Sequence, residues 1–332
     1  MMRTAKPKVL LAWSASDYEV AVFRKYLGDA AEIIVMPKTA EQFRDVVKDV
    51  DVIVGGFIPD EYIKVSSRLK FIQILSAGAD RFNFKLLKEK GITLATVSGA
   101  NASTVAEHAI LLILALSRRL VFMDKALKEG KWIPYKHETM IEEVYGKNLG
   151  IIGYGNIGSE IAKRAYCLGM KIYVIKRNPL KGVKYRRLLK YVGGPESLDY
   201  VLRISDYVVL SVPLTKETLG LIGERELRLM KKTAYLINVS RGPVIDEKAL
   251  YRALTEGWIA GAGLDVWWLY PPHKGAPSTL GIHKLPNVIA TPHKAGWSKE
   301  ARRRALILAA RNVRAFLKGK KVINVVDYEK GY

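Results

Sequence analysis

The sequence predicts an α/β protein made of two doubly wound domains, each a parallel sheet covered by helices on both faces. Three observations predict it. Short, almost purely apolar strands recur along the chain with helical stretches between them, the pattern of parallel strands buried on both faces. A glycine-rich turn, Gly153-Tyr154-Gly155-Asn156-Ile157-Gly158, directly follows one such strand. The chain has 332 residues, 49% apolar and 26% charged, which suits two globular domains and excludes a disordered chain.

Taken in order, residues 9–12, 33–35, 52–54 and 72–75 read as buried strands of one small domain. Thr104-Val105-Ala106-Glu107 has capping-box spacing, which predicts a helix capped by Thr104 and running past Leu116. A second run opens with a strand at 148–152 and a helix at 159–168. It continues with strands at 172–175, 207–212, 234–239, 261–266 and 288–291. The remaining helix (298–318) and strand (322–326) are too few residues for a third domain and are expected to pack back on the first. The expected domains are therefore residues 1–100 plus 297–332, with 101–296 inserted between them.

Several function classes fall away on composition. The one cysteine, Cys167, allows neither a disulfide framework nor a cysteine zinc site, and fits a reducing compartment. The basic N-terminal residues Arg3, Lys6 and Lys8 precede only five apolar residues, too short for a signal sequence, and the apolar run 109–117 is far short of a membrane span. A cytoplasmic protein with no membrane partner is expected. The net charge of +22 invites a nucleic-acid reading, but no helix-turn-helix, RNP or zinc motif accompanies it, so no nucleic acid is expected. His273, His283 and His293 lie ten residues apart with no acid nearby, so no metal site is expected. His273 and His283 read as surface residues, and His108 as a satisfied structural histidine.

The glycine-rich turn matches G-x-G-x-x-G in the strand–turn–helix context that gives the pattern meaning: a tight turn, a bare backbone and a helix N-terminus facing a pyrophosphate. The end of the next strand selects the dinucleotide. An acid there bonds the ribose 2′-hydroxyl of NAD, but this chain has Lys176-Arg177-Asn178-Pro179. Those cations suit a 2′-phosphate, so NADP(H) is expected to be preferred, with NAD(H) the alternative. The same tract continues without acids through Lys181, Lys184, Arg186, Arg187 and Lys190.

Further motifs follow in order: Ser211-Val212-Pro213-Leu214-Thr215-Lys216-Glu217-Thr218, Ile237-Asn238-Val239-Ser240-Arg241-Gly242-Pro243, Gly261-Ala262-Gly263-Leu264-Asp265-Val266 and Thr291-Pro292-His293. With Val105-Ala106-Glu107-His108 and Ser76-Ala77-Gly78-Ala79-Asp80, they make the chain resemble the D-isomer-specific 2-hydroxyacid dehydrogenases over nearly its whole length. The resemblance implies a Rossmann cofactor domain inserted in a flavodoxin-like substrate domain, and a homodimer formed through residues 102–147. It implies hydride transfer between nicotinamide and a small 2-oxo or 2-hydroxy acid, of the glyoxylate or hydroxypyruvate kind.

Carried over by position, Arg241 anchors the substrate carboxylate, a task suited to a planar, permanently charged fork. His293 is the acid/base group. Gly56, Ala77, Gly78 and Ala79 bind substrate from the first domain. Gly153, Gly155, Asn156, Ile157 and Gly158 hold the cofactor with Lys176, Arg177 and Asn178, and Val212, Pro213, Thr218, Val239, Ser240 and Gly296 line the rest of its site. Asp265 matches the residue that holds the nicotinamide carboxamide. One departure stands out: the family's usual glutamate, five positions after that aspartate, is Tyr270 here, and no carboxylate occurs from Val266 to Lys299. Two alternatives follow from the missing carboxylate. One is formate-type oxidation, which needs no proton transfer, and the other is a dinucleotide sensor or corepressor with weak catalysis.

Overall fold

The computed structural model describes residues 6–36, 39–270 and 276–332. The chain divides into two compact units, Met1–Asn101 with Trp297–Tyr332, and Ala102–Gly296. In the first, strands β1 (Lys8–Leu11), β2 (Glu32–Val35), β3 (Val52–Gly55), β4 (Phe71–Ile74) and β5 (Thr93–Ala95) form one sheet in the order β2-β1-β3-β4-β5. Every pairing is parallel. Parallel neighbours require crossovers, and helices α1 (Asp17–Leu27), α2 (Ala40–Val47), α3 (Asp60–Val65) and α4 (Phe84–Glu89) supply them. All residues of β3 and β4 are buried, which is why these strands read as apolar runs broken only by Gln73. β5 has three residues, too few to show a period, and sequence reading missed it.

The terminal helix, Lys299–Leu317, belongs to this first unit. Ser298 caps it by accepting the Ala301 N–H at 3.1 Å. Its Ala305, Leu306, Ala309, Ala310 and Val313 share a core with Val9, Phe23, Val52 and Phe71. Two polar contacts fix its register: Arg302 Nε donates to Glu19 Oε1 at 2.8 Å, and Asn312 Nδ2 donates to the buried Gln73 Oε1 at 2.8 Å. Beyond the helix, the strand expected at 322–326 does not form. Val325 makes a single antiparallel bridge to Ala95. The Asn312 side chain takes both the N–H and the carbonyl of Ile323, and Asn324 turns to φ +57°, so the backbone leaves extended geometry.

The second unit opens with α5 (Ala102–Ser117) and α6 (Leu120–Lys128). Thr104 lies inside α5, not at its cap, and Glu107 accepts from Ser103 Oγ and Arg164 Nη2 instead of from the helix end. There follow β6 (Asn148–Ile152), α7 (Asn156–Cys167), β7 (Lys171–Ile175), β8 (Leu189–Gly193), α8 (Leu198–Ile204), β9 (Tyr207–Leu210), α9 (Glu224–Leu229), β10 (Tyr235–Asn238), α10 (Glu247–Thr255), β11 (Gly261–Leu264) and β12 (Val288–Ala290). The sheet runs β12-β11-β10-β9-β6-β7-β8, parallel throughout. The order reverses between β6 and β9, and doubly wound sheets bind ligands at that reversal, beyond the strands' C-terminal ends. β8, a partly charged edge strand with a register shift against β7, escaped sequence reading. Both sheets make this an α/β protein of two parallel-sheet units. Among the described residues, no helix is long and apolar enough to cross a membrane.

Candidate active site

β6 runs into Gly153, and α7 starts at Asn156 with Gly155 as its cap, three residues before the expected helix start. The three glycines have different reasons to lack a side chain. Gly153 has φ +97°, and a Cβ on it would lie 2.7 Å from the Ser211 carbonyl oxygen. A Cβ on Gly158 would collide with the Gly153 carbonyl oxygen. At Gly155 a Cβ would meet nothing within 4 Å. Two glycines therefore serve the protein's own packing, while the third leaves open space beside bare backbone at the start of a helix. This cradle fits a dinucleotide pyrophosphate. Ser211 Oγ donates to the Gly153 carbonyl at 2.7 Å and joins the loop after β6 to the loop after β9.

Lys176, Arg177 and Asn178 follow β7, the first half-buried and the other two exposed. The basic tract is tethered to the glycine-rich loop at two points. Tyr154 OH donates to the Lys184 carbonyl at 2.7 Å, and Lys184 Nζ donates to Asn156 Oδ1 at 3.1 Å. Burial pushes the Tyr154 phenol up to about 12, so it remains a donor at neutral pH. Arg177 Nη2 pairs with Glu217 Oε2 at 2.6 Å, an acid delivered by the loop after β9 and invisible to any reading of 176–190. In that same loop Val212 is half-buried and Pro213 exposed. The Thr218 hydroxyl clasps it, donating to the Pro213 carbonyl at 2.6 Å and accepting the Thr215 N–H at 2.8 Å.

β10 ends at Asn238, a buried amide that organises the next turn. Its Oδ1 accepts from Ser240 N–H at 3.0 Å and Ser240 Oγ at 2.7 Å, and its Nδ2 donates to the Arg241 carbonyl at 2.8 Å. Val239 and Ser240 are buried beneath this turn. Arg241 has extended backbone, φ −143° and ψ 145°, and its Nη1 donates to the Ser240 carbonyl at 2.8 Å. A Cβ on Gly242 would strike the backbone of Trp267, so the Arg241 turn lies directly on the loop after β11. That loop is stitched outward by two indoles: Trp267 Nε1 donates to the Thr291 carbonyl, and Trp268 Nε1 to the Ile245 carbonyl, both at 2.9 Å.

His293 follows β12 in a left-handed conformation, φ +55°, with its N–H on the Thr291 carbonyl at 3.0 Å. Asp265 holds this loop from below. It is 1% exposed; its Oδ1 accepts from Thr291 Oγ1 at 2.6 Å and Lys294 N–H at 2.9 Å, and its Oδ2 accepts from Ala295 N–H at 2.9 Å. Asp265 was expected against the nicotinamide carboxamide; in this structure its carboxylate accepts these three donors from the segment around His293. Tyr270 stacks obliquely on His293, ring centroids 5.3 Å apart at 41°, and its oxygen accepts the Trp267 N–H at 3.3 Å. Gly296 closes the unit, half-buried. His283, expected on the surface, packs edge-on against Trp267 at 6.0 Å with a buried, unpartnered Nδ1. His273 lies outside the described residues. Among the described residues no cluster could hold a metal ion. The organising roles of Asn238 and Trp267 were missed, although Asn238 stands inside a motif the sequence displays and Trp267 directly follows one.

In the first unit, Gly56 follows β3 and Ala77, Gly78 and Ala79 follow β4, adjacent strands whose C-terminal ends lie side by side. Ser76 Oγ donates to the Gly78 carbonyl at 3.0 Å and shapes that turn. A Cβ on Gly56 would meet nothing within 4 Å. Beside it Phe57 is edge-on to Phe82 and lies under the Arg81 guanidinium.

Residues 110–295 match the family model for the D-isomer specific 2-hydroxyacid dehydrogenase, NAD binding domain. The chain is 39% identical over 288 residues to a glyoxylate reductase of Korarchaeum cryptofilum (85% of this chain, 84% of that protein). It is 36% identical over 337 residues to a glyoxylate reductase of Thermococcus gammatolerans (98% and 97%). A crystal structure of a glyoxylate reductase from Paecilomyes thermophila superposes with a TM-score of 0.84 at 28% identity, covering 98% of this chain and all of that one. The chain belongs to the D-isomer specific 2-hydroxyacid dehydrogenases, and is an NAD(P)-dependent oxidoreductase of 2-hydroxy acids and their 2-oxo counterparts.

Proposed function

We propose that the protein reduces a small 2-oxo acid, glyoxylate or hydroxypyruvate, with NADPH preferred over NADH. One observation carries the reading: the glycine-rich loop, the Arg241 turn and the His293 loop all leave the C-terminal edge of a single parallel sheet, and Trp267 bridges the last two. The bound nicotinamide supplies the hydride. Arg241 grips the substrate carboxylate through its planar fork and polarises the adjacent carbonyl. His293 gives a proton to the carbonyl oxygen as that oxygen gains charge. Tyr270 lies against the imidazole where relatives carry glutamate, orienting the ring without adding a negative charge. Ala77, Gly78, Ala79 and Gly56 serve the substrate from the substrate domain, residues 1–100 plus 297–332.

The NADPH preference rests on Lys176, Arg177 and the tract tethered through Lys184 to the glycine-rich loop. A homodimer through residues 102–147 is supported by the apolar side chains exposed there, Leu127, Trp132, Tyr135 and Met140 among them. Cytoplasmic residence is supported by the free, exposed Cys167. The test is oxidation of NADPH and NADH with a panel of 2-oxo acids, together with reduction of NADP+ and NAD+ by formate. Faster turnover of glyoxylate or hydroxypyruvate with NADPH is expected. Turnover of formate alone would establish the formate-type reaction, and cofactor binding without any turnover would establish a sensor. Tighter binding of NADH than NADPH would overturn the cofactor preference.

A further inference from the structure

His108 stands on α5, far in sequence from the His293 loop, yet its side chain is only 16% exposed and reaches under that loop. Its Nε2 lies 2.9 Å from Thr291 Oγ1 and 3.6 Å from Asp265 Oδ1. Hydrogen-bond chemistry fixes the direction of the chain. The Asp265 carboxylate can only accept, so the Thr291 hydroxyl hydrogen, 2.6 Å away, goes to Asp265. The Thr291 oxygen must then accept from His108, whose Nε2 carries the hydrogen whether the ring is neutral or charged. Asp265 in turn accepts the N–H groups of Lys294 and Ala295. The chain His108–Thr291–Asp265 thus reaches the residues on both sides of His293. His293 needs such support, because a left-handed backbone at a residue with a Cβ is strained and persists only where its surroundings over-determine it.

We propose that His108 is a positioning residue for hydride transfer: it orients the Thr291 hydroxyl onto Asp265 and so holds His293 in its strained, productive conformation. The inference rests on His293 being the acid/base group. α5 gives His108 a rigid base, since Val105, Ala109, Leu112 and Ile113 around it are buried in the core of the unit. A histidine that only filled space there would tolerate an apolar replacement without a specific loss in turnover.

The test compares His108→Leu, His108→Gln, Thr291→Val and the double variant His108→Leu/Thr291→Val in the full chain, with His293→Gln as control. The assay is NADPH oxidation with glyoxylate, and thermal unfolding is recorded for each protein. His108→Leu is expected to lower kcat about tenfold, with KM for both substrates within about twofold. His108→Gln, which keeps an N–H donor, restores most of the activity. Thr291→Val matches His108→Leu, and the double variant is no worse than either single change, as expected of one chain. Unchanged kcat in His108→Leu while His293→Gln is inactive overturns this inference alone, as do additive losses in the double variant. A fully active His293→Gln overturns the acid/base reading itself. If His108→Leu does not fold, Thr291→Val against Thr291→Ser decides: loss only in the valine variant supports the chain, and equal activities overturn it.

Discussion

The loops after β10 and β12 do the same job by different means. Each presents one polar side chain, Arg241 or His293, and each is gripped from below by one buried residue. Under Arg241 the grip is a neutral amide, Asn238, holding an extended backbone without strain. Under His293 it is a carboxylate, Asp265, with three donors holding a left-handed residue. Hydrogen bonds to an ionised group are about twice as strong as neutral ones. The charged clamp lies where the backbone conformation is costly, and the neutral one where it is free.

The largest effects should come from the presented groups themselves. Arg241→Lys and His293→Gln are each expected to lower kcat/KM by about 10²–10⁴-fold. The arginine change should appear mainly in the substrate KM and the histidine change in kcat, since in the proposed function Arg241 chiefly binds and His293 moves a proton. Equal partition of both losses between kcat and KM would erase the functional half of the comparison.

Next come the clamps. Asp265→Asn turns an acceptor into a donor facing backbone N–H groups, and is expected to cost about 1–3 kcal/mol in urea unfolding together with a loss in kcat. Asn238→Ala should cost less, near the lower end of that range. If Asn238→Ala proves the more destabilising, strain does not explain the choice of clamp.

A third loop, after β7, is tethered further along, where Tyr154 holds the Lys184 carbonyl, and its first cations are half-buried or exposed, which sharpens the contrast. Arg177 has an exposed pair with Glu217, of little worth in water. Lys176→Ala with Arg177→Ala should weaken NADPH binding about tenfold and leave NADH unchanged, measured by fluorescence titration. An equal loss for both cofactors would assign these cations to general attraction. The smallest expected effect concerns Tyr270. A carboxylate beside an imidazole favours its charged form, so Tyr270→Glu should move the pH–rate profile of reduction upward by about one unit. An unmoved profile would mean that the ring contact carries no electrostatic consequence.

Much of this molecule was legible beforehand because its signals are local. Strands buried on both faces are continuous apolar runs, as at Val52-Ile53-Val54, and the glycine-rich turn, Arg241, His293 and Tyr270 stand in short contiguous motifs. Local reading failed where a side-chain partner outside the local pattern changed the outcome. Asn312 captured the backbone of Ile323 and prevented a strand. Arg164 and Ser103 took the Glu107 carboxylate expected at the α5 cap. Trp267 gave His283 an aromatic neighbour in place of water.

The sequence by itself determined the fold class, the family resemblance and the residues proposed to carry the chemistry, because apolar periodicity and motif spacing are written in adjacent positions. Only the tertiary structure decided how those residues are held. It placed Glu217 against Arg177, bound the basic tract to the glycine-rich loop, and aimed His108 and Asp265 at one strained histidine. These contacts join residues tens to hundreds of positions apart, and their geometry follows from the packing of whole strands and helices, which no local pattern encodes.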